Sequence, residues 1–508
     1  MTKLDIAPRD FEAEPARSTF AATYREGRAQ VVWTRLIADL ETPVSAMLKL
    51  SDGRPLSCLL ESVEGGERLA RYSFLAANPF MTVRTRNSDT SVEKSGKAQL
   101  LKDLTLFEYL RDHFEQNKLA HRENLPPLCG GAVGFLTYDA VRWFEPILDD
   151  NKYFDRDDAV WMFFRTILAF DRLKQRIEIV SIVFTDEAAD EAKLRILYDE
   201  AVEETERIEN LLAETARFPQ SPQIAQNNGK PTAFASNWTK QGFMKSVETV
   251  QEQILAGNAY QVVLSQKFSR QVSAQPINIY RALRTTNPSP YMFYLKFGEE
   301  ILIGASPEML VRCRDKKLDY RPIAGTRPRG ANEDEDWILG EDMRSDEKEI
   351  SEHIMLVDLG RNDLGRIAEY GSVEVEELMK IERYSHVQHL VTSLTATLRE
   401  GFDRFDALAS CFPAGTVSGA PKVSAMHIIK KLEPTSRGVY AGTVGYIDYD
   451  KNLDTCIAIR TLELRDDIAY VQAGAGIVAD SIPEKEYEET INKARALVKA
   501  IEIAEKGL

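Results

Sequence analysis

Two stretches of the chain place glutamates three residues apart: SDEKEISEHIMLVDLG, and a run that begins at Pro483. If both are helical, Glu349 and Glu352 share one face and Glu486 and Glu489 share another. Two such faces brought together offer an all-oxygen ligand set. That chemistry suits Mg2+, which keeps several waters and takes one or two carboxylates plus substrate oxygens. The same spacing fits two solvated helix faces, because the helix dipole favours acidic residues near a helix start. Zinc is disfavoured, since the chain has six histidines and no H-E-x-x-H.

A second set of residues could hold an anion. Arg460 stands in the strand-like run TCIAIRTLEL, where alternation assigns it to one sheet face. A guanidinium there could clamp a carboxylate with two hydrogen bonds. Glycine-containing turns recur around it: IAGTRPRG, PAGTVSGAPK, YAGTVGY and QAGAGIV. Glycine permits close backbone approach to a ligand, so Gly474 and Gly476 could add bare N–H donors. PAGTVSGAPK leads into a helix, with Ser418 as its cap and Pro421 near its first turn, and helix N-termini attract anions. Each of these turns also reads as a tight turn and nothing more. QAGAGIV lacks the last glycine and the following βαβ unit of a dinucleotide fingerprint, and no GK[ST] marks a P-loop. Tyr440, Thr416, Thr326 and His389 stand beside these turns. For His389, in RYSHVQHLVTSL, a structural and a catalytic role both fit.

These groups need elements to carry them. The chain has 508 residues, enough for two large domains or three ordinary ones. It is 44% hydrophobic and 28% charged, which excludes a mostly disordered chain. From about residue 27 to 185, VSAMLKL, FMTVRTR and QRIEIVSIVF read as strands. A long amphipathic helix follows, with Leu194, Leu197, Tyr198, Ala201, Ile208, Leu211 and Leu212 near one face. FPQSPQIAQNNGKPTAFASNW then reads as a loop or boundary, dividing a region 1–220 from a region 237–508. The second region mixes helices and strands without a regular βαβ rhythm, so an α+β fold is expected. In its first glutamate-bearing helix, Ile350, Ile354, Leu356 and Val357 form the apolar side. In the second, Tyr487, Ile491, Ala494, Val498 and Ile501 form the buried stripe, and Lys493 lies one turn beyond Glu489.

A net charge of −15 makes the chain a poor partner for nucleic acid or an anionic membrane. The most apolar stretch, VWMFFRTILAF, carries Arg165 and falls well short of the ~18 apolar residues of a membrane span. MTKLDIAPRDFEAEPARSTF lacks the apolar core of a secretory signal. Five scattered cysteines (Cys58, Cys129, Cys313, Cys411, Cys456) without C-x-x-C suggest reduced thiols and a cytoplasmic location.

RPIAGTRPRG, SEHIMLVDLGRNDLGRI, SGAPKVSAMHII, LDTCIAIRT, VQAGAGIVADS and EETINKARA occur in one order over about 180 residues. Together they closely resemble the anthranilate synthase component I family of chorismate-utilising enzymes. LLES and RYSF extend the resemblance into the first half. It implies a large antiparallel β-sandwich core flanked by helices. It also implies a reaction, the first committed step of tryptophan biosynthesis. Chorismate and ammonia give an amino intermediate, which loses pyruvate to leave anthranilate. The ammonia comes from glutamine through an amidotransferase, expected here on a second polypeptide, anthranilate synthase component II.

Carried over residue by residue, the family's Mg2+ ligands fall on Glu352 and Glu489, with Glu349 and Glu486 bridging through water. Chorismate contacts fall on Gly325, Thr326, Tyr440, Arg460, Gly474, Ala475 and Gly476. His389 and Thr416 match positions near the reacting ring. The family's tryptophan-inhibition site falls on Leu60, Glu61 and Ser62 of LLES, with Pro290, Tyr291 and Met292 of NPSPYMFYL as the other wall; by pattern alone these residues also read as strand packing. Two departures separate the sister activities. Isochorismate and salicylate synthases carry a Lys where this chain has Gln261, and aminodeoxychorismate synthases carry one in place of Ala324. Gln is no base and Ala no nucleophile, so direct ammonia attack is favoured. The rivals are a sister chorismate enzyme and a non-catalytic, tryptophan-sensing subunit with the same fold.

Overall fold

The computed structural model describes residues 13–24, 29–63, 71–87, 89–102, 104–120, 125–149, 156–184, 187–188, 190–216, 234–384 and 387–508. Most of the stretch expected to be a boundary loop lies outside them. Among the described residues, two twelve-stranded sheets form the core, and every pairing between their named strands is antiparallel. This is the expected α+β sandwich, closed by helices on its outer faces.

The two halves of the sequence share both sheets. In the first sheet, Leu56–Glu61 pairs with Tyr291–Phe297, opposing Leu60 to Phe293. In the second, Gly131–Leu136 pairs with Thr443–Asp448. The 220–237 boundary therefore divides the chain in sequence and not in its core. One apolar cluster joins Cys58, Phe74, Phe293 and Leu302 of the first sheet to Val133, Phe135, Val444 and Cys456 of the second. A separate cluster packs Leu59, Leu75, Ile303 and Val471 under the helices Pro43–Leu50, Pro276–Thr286 and Pro483–Lys506. Leu59 and Leu60 thus point to opposite faces, as strand alternation requires.

Three local expectations change. VSAMLKL is helical within Pro43–Leu50, because Thr42 and Ser45 form a capping box and Pro43 occupies the first helical position. Ser418 does not cap the helix Lys422–Leu432: its hydroxyl turns back to Ala414 O at 2.8 Å, and the helix starts from Pro421 without a side-chain cap. TCIAIRTLEL is two strands. Leu453–Ile457 lies in the second sheet and Thr461–Arg465 in the first, so residues 458–460 cross the sandwich. Arg460 sits in that crossing with φ +47°, a left-handed conformation that costs roughly 1 kcal/mol or more in a side-chain-bearing residue.

FMTVRTR and QRIEIVSIVF are strands over Met81–Arg86 and Arg176–Val183, and the long amphipathic helix runs Glu191–Ala213. No described helix is long and apolar enough to cross a membrane.

Candidate functional site

A cleft of about 1150 Å³ opens at one end of the sandwich, where both sheets meet the glutamate-bearing helices. One is Glu347–Gly365. Its N-cap Asp346 accepts from the backbone N–H groups of Lys348 at 2.9 Å and Glu349 at 3.2 Å. It buries His353, Leu356, Val357 and Leu364, while Ile354, expected on the apolar side, is 45% exposed. The other is Pro483–Lys506, which buries Thr490, Ala494, Leu497 and Ile501. The opposite faces of these helices bring Glu349, Glu352, Glu486 and Glu489 to one cleft.

The four carboxylates feel one another. Burial pushes the Glu352 carboxyl up, and the charges of Glu349 and Glu489 push it further. Burial likewise raises Glu486, with Glu489 adding to it. Two of the four have cationic partners: Arg327 donates to Glu349 at 2.9 Å, and Lys493 pairs with Glu489 at 2.7 Å. Among the described residues, no three His, Cys, Asp or Glu side chains already stand as a closed metal cage. The donor set is all oxygen, and the surplus negative charge is what a hard divalent cation would neutralise, so these residues fit Mg2+. Arg327 and Lys493 are the counter-charges it would compete with.

Across the cleft, the strand Ile468–Ile477 runs beside Gln261–Gln271. Gly474 and Gly476 face the cavity; Ala475 points away into an apolar cluster with Val262 and Leu264. A Cβ at Gly474 would lie 2.6 Å from the Tyr440 hydroxyl, which explains the glycine. Burial holds the Tyr440 phenol up at about 12, so it stays a donor. Arg437 stands 5.6 Å from the Tyr440 ring and donates to Val417 O and Val263 O, each at 2.7 Å. It thereby fixes Tyr440, the segment next to Thr416, and the strand of Gln261. The Arg460 guanidinium enters the same cleft, is drawn below its usual range by burial, and has no hydrogen-bond partner among the described residues.

His389 lies on the strand Val387–Thr397, 5% exposed. Its Nδ1 is 2.9 Å from Gly325 O and 3.1 Å from Thr326 Oγ1. A carbonyl only accepts, so Nδ1 carries the proton and Nε2 holds a lone pair. Burial pulls the imidazole below its ordinary value and keeps it neutral. Gly325, at φ +68°, makes the turn that presents this carbonyl.

Sequence reasoning missed Glu308. It lines the cleft, only 6% exposed, and burial pushes its carboxyl up to about 8. The Ile323 backbone, the Thr416 hydroxyl and the Arg460 charge pull it partly back. The Thr416 contact falls short of a well-formed hydrogen bond, so Oγ1 remains a buried polar atom without a settled partner. The signal was a lone acid inside the apolar run ILIGASPEML.

The residues that the resemblance assigns to tryptophan inhibition are brought together around one strand pairing, but on two faces. Leu60 packs toward the sandwich interior. The Ser62 hydroxyl is buried without a partner, and the Tyr291 hydroxyl donates to Asp454 at 3.1 Å. Glu61 and Met292, directly opposed, take the other face. There Glu61 accepts from Tyr280 at 2.5 Å, Arg284 at 2.9 Å and Arg172 at 3.1 Å, so its carboxylate is held by the protein itself. Pro290 lines the cleft.

Comparison with known proteins shows the family and the fold. A family model described as chorismate binding enzyme matches residues 57–499. Anthranilate synthase component 1 of Aquifex aeolicus is 45% identical over 482 residues, covering 94% of this chain and 95% of that one. The Acetivibrio thermocellus protein of the same name is 45% identical, covering 93% and 95%. The crystal structure of anthranilate synthase component I from Streptococcus pneumoniae superposes with a TM-score of 0.71 at 35% identity, covering 91% and 98%. The menaquinone-specific isochorismate synthase of Escherichia coli, at 20% identity and a TM-score of 0.68, covering 95% and 99%, shares the fold.

Proposed function

Because the chain belongs to the chorismate-binding enzymes, and among them to the anthranilate synthase component 1 family, we propose that its cleft turns chorismate and ammonia into anthranilate, pyruvate and water. One observation carries this reading. Both glutamate pairs, Arg460, Tyr440, His389 and the glycines of QAGAGIV line a single cavity. Chorismate is a dianion entering a chain of net charge −15, so the positive charge that holds it must be local.

Glu352 and Glu489, with Glu349 and Glu486 beside them, would hold Mg2+, which would supply positive charge for the ring carboxylate and Lewis-acid polarisation of the ring. Arg460, Tyr440 and the N–H groups of 474–476 hold the enolpyruvyl carboxylate. With Glu308 protonated, Arg460 is left uncompensated for that anion. Gln261 and Ala324 supply neither base nor nucleophile, so ammonia itself attacks C2. The departing C4 hydroxyl needs a proton, and Glu308 is the group that carries one at neutral pH. Neutral His389 has no proton to spare on Nε2 but can take one, which suits removal of the C2 hydrogen as pyruvate leaves and the ring becomes aromatic. Thr416, whose buried hydroxyl has no settled partner in the protein, is left to meet the reacting ring beside Glu308.

Ammonia comes from glutamine through a component 2 amidotransferase, so the working form is a heteromer. L-Tryptophan inhibits by binding the wall of Leu60, Ser62 and Tyr291, with Pro290 connecting that wall to the cleft. Binding there shifts a conformational equilibrium only by its differential affinity for the two states. The five free, buried cysteines suit a reducing cytoplasm.

The test is product identity. The purified chain, given chorismate, Mg2+ and ammonium, makes fluorescent anthranilate and pyruvate, and uses glutamine only with its amidotransferase. Isochorismate or aminodeoxychorismate as the product would replace this reading with a sister activity. Tryptophan binding without chorismate consumption would mark a non-catalytic sensor.

A further inference from the structure

A second cavity, of about 480 Å³, lies on the outer face of the first sheet, between the N-terminal end of Pro43–Leu50, the hairpin around 170–176 and the helix Pro276–Thr286. It is apart from the cleft and shares none of its lining residues. Four guanidiniums line it, those of Arg172, Arg176, Arg281 and Arg284, against two carboxylates, Glu41 and Asp171.

The two lining carboxylates already have cationic partners of their own. Arg71 forks onto Asp171 at 2.7 and 3.1 Å, and Lys49 pairs with Glu41. Arg172 and Arg284 share the single buried carboxylate of Glu61. Arg281 donates to the neutral amide of Asn278 at 3.0 Å. Among its lining residues, guanidiniums outnumber carboxylates four to two, a local excess of positive charge in a chain whose net charge is −15. Guanidinium forks match the planar or tetrahedral oxygens of carboxylates and phosphates. A second feature narrows the ligand. Glu41 Oε1 is buried with no hydrogen-bond partner, so it awaits an N–H or O–H donor.

We propose that this cavity binds a small oxyanion that also carries a hydrogen-bond donor, such as a hydrogen phosphate or a hydroxycarboxylate. The acid group meets the arginines and its donor meets Glu41. Through Arg172 and Arg284 the ligand touches Glu61 from the face opposite Leu60 and Ser62. The binding claim does not depend on the tryptophan reading.

Calorimetric titration of the full chain with inorganic phosphate, and separately with glycolate, tests it, at constant ionic strength set with chloride. Saturable binding is expected for at least one probe, with a dissociation constant on the order of 1 mM. The tighter probe identifies the chemical source. In the Arg176→Gln/Arg281→Gln variant, which leaves the Glu61 clamp and the cleft intact, affinity should fall about tenfold or more, with an unchanged unfolding transition. Absence of saturable binding by either probe, or binding of equal strength in the variant, overturns the proposal.

Discussion

In the proposed mechanism Glu308 and His389 divide the proton work, because burial acts on them in opposite chemical senses. Removing a carboxyl from water favours its neutral, protonated form; removing an imidazole favours its neutral, deprotonated form. The same desolvation thus prepares an acid and a base that line one cleft. Glu308→Gln should lower kcat by roughly 10²–10⁴-fold, the usual worth of a general acid, with the fold retained. The wild-type pH profile follows from the sign of the shift. The acid form persists below about 8 and is lost as pH rises through that value, so kcat should decline on the alkaline side near pH 8. Steady-state rates across pH check both, and a wild-type profile flat to well above pH 9 would remove Glu308 from the role. His389 was legible in the sequence because it stands beside conspicuous turns. Glu308 was missed: its one sequence mark is a lone acid in the apolar run ILIGASPEML, and the burial that makes it an acid at neutral pH belongs to the fold.

At the scale of elements, the cleft depends on close approach between chain segments. Gly474 exists so that the Tyr440 hydroxyl can lie against its strand. Gly474→Ala should displace that hydroxyl and raise KM for chorismate by about 10- to 100-fold, the worth of a hydrogen bond to a charged group. Tyr440→Phe should cost a similar factor, and the double variant little more, because both remove one contact. Additive losses in KM would separate the two residues. The glutamate helices were readable from spacing and Pro483, since a 3.6-residue period survives in the sequence. Arg460 does line the cleft, but not from the strand that the sequence pattern suggested. An alternating run cannot reveal that its strand breaks at 458–460 and passes between sheets; that break aims the guanidinium into the cleft. VSAMLKL misled for the opposite reason: its pattern admits a strand, and the capping box just before it decides for a helix.

At the scale of the molecule, the two halves of the chain are one sandwich, which gives long-range control a physical route. The strand Leu56–Glu61 from the first half is bonded along its length to Tyr291–Phe297, whose neighbour Pro290 borders the cleft. Ser62→Arg, filling the inner wall, should raise the tryptophan concentration for half-inhibition at least about tenfold while leaving uninhibited turnover unchanged. Inhibition curves settle this, and an unchanged midpoint would move the effector elsewhere. The sandwich itself was legible only through resemblance, because pairing between strands more than two hundred residues apart leaves no local trace. The central claim is that four glutamates from two distant helices form, with Arg460 and Tyr440, the place where chorismate reacts. Its most direct test is Mg2+-dependent anthranilate fluorescence from chorismate and ammonium in Glu352→Gln and Glu489→Gln, each with a native unfolding transition. Near-complete loss of turnover in both is expected; near-normal turnover in either would contradict the account.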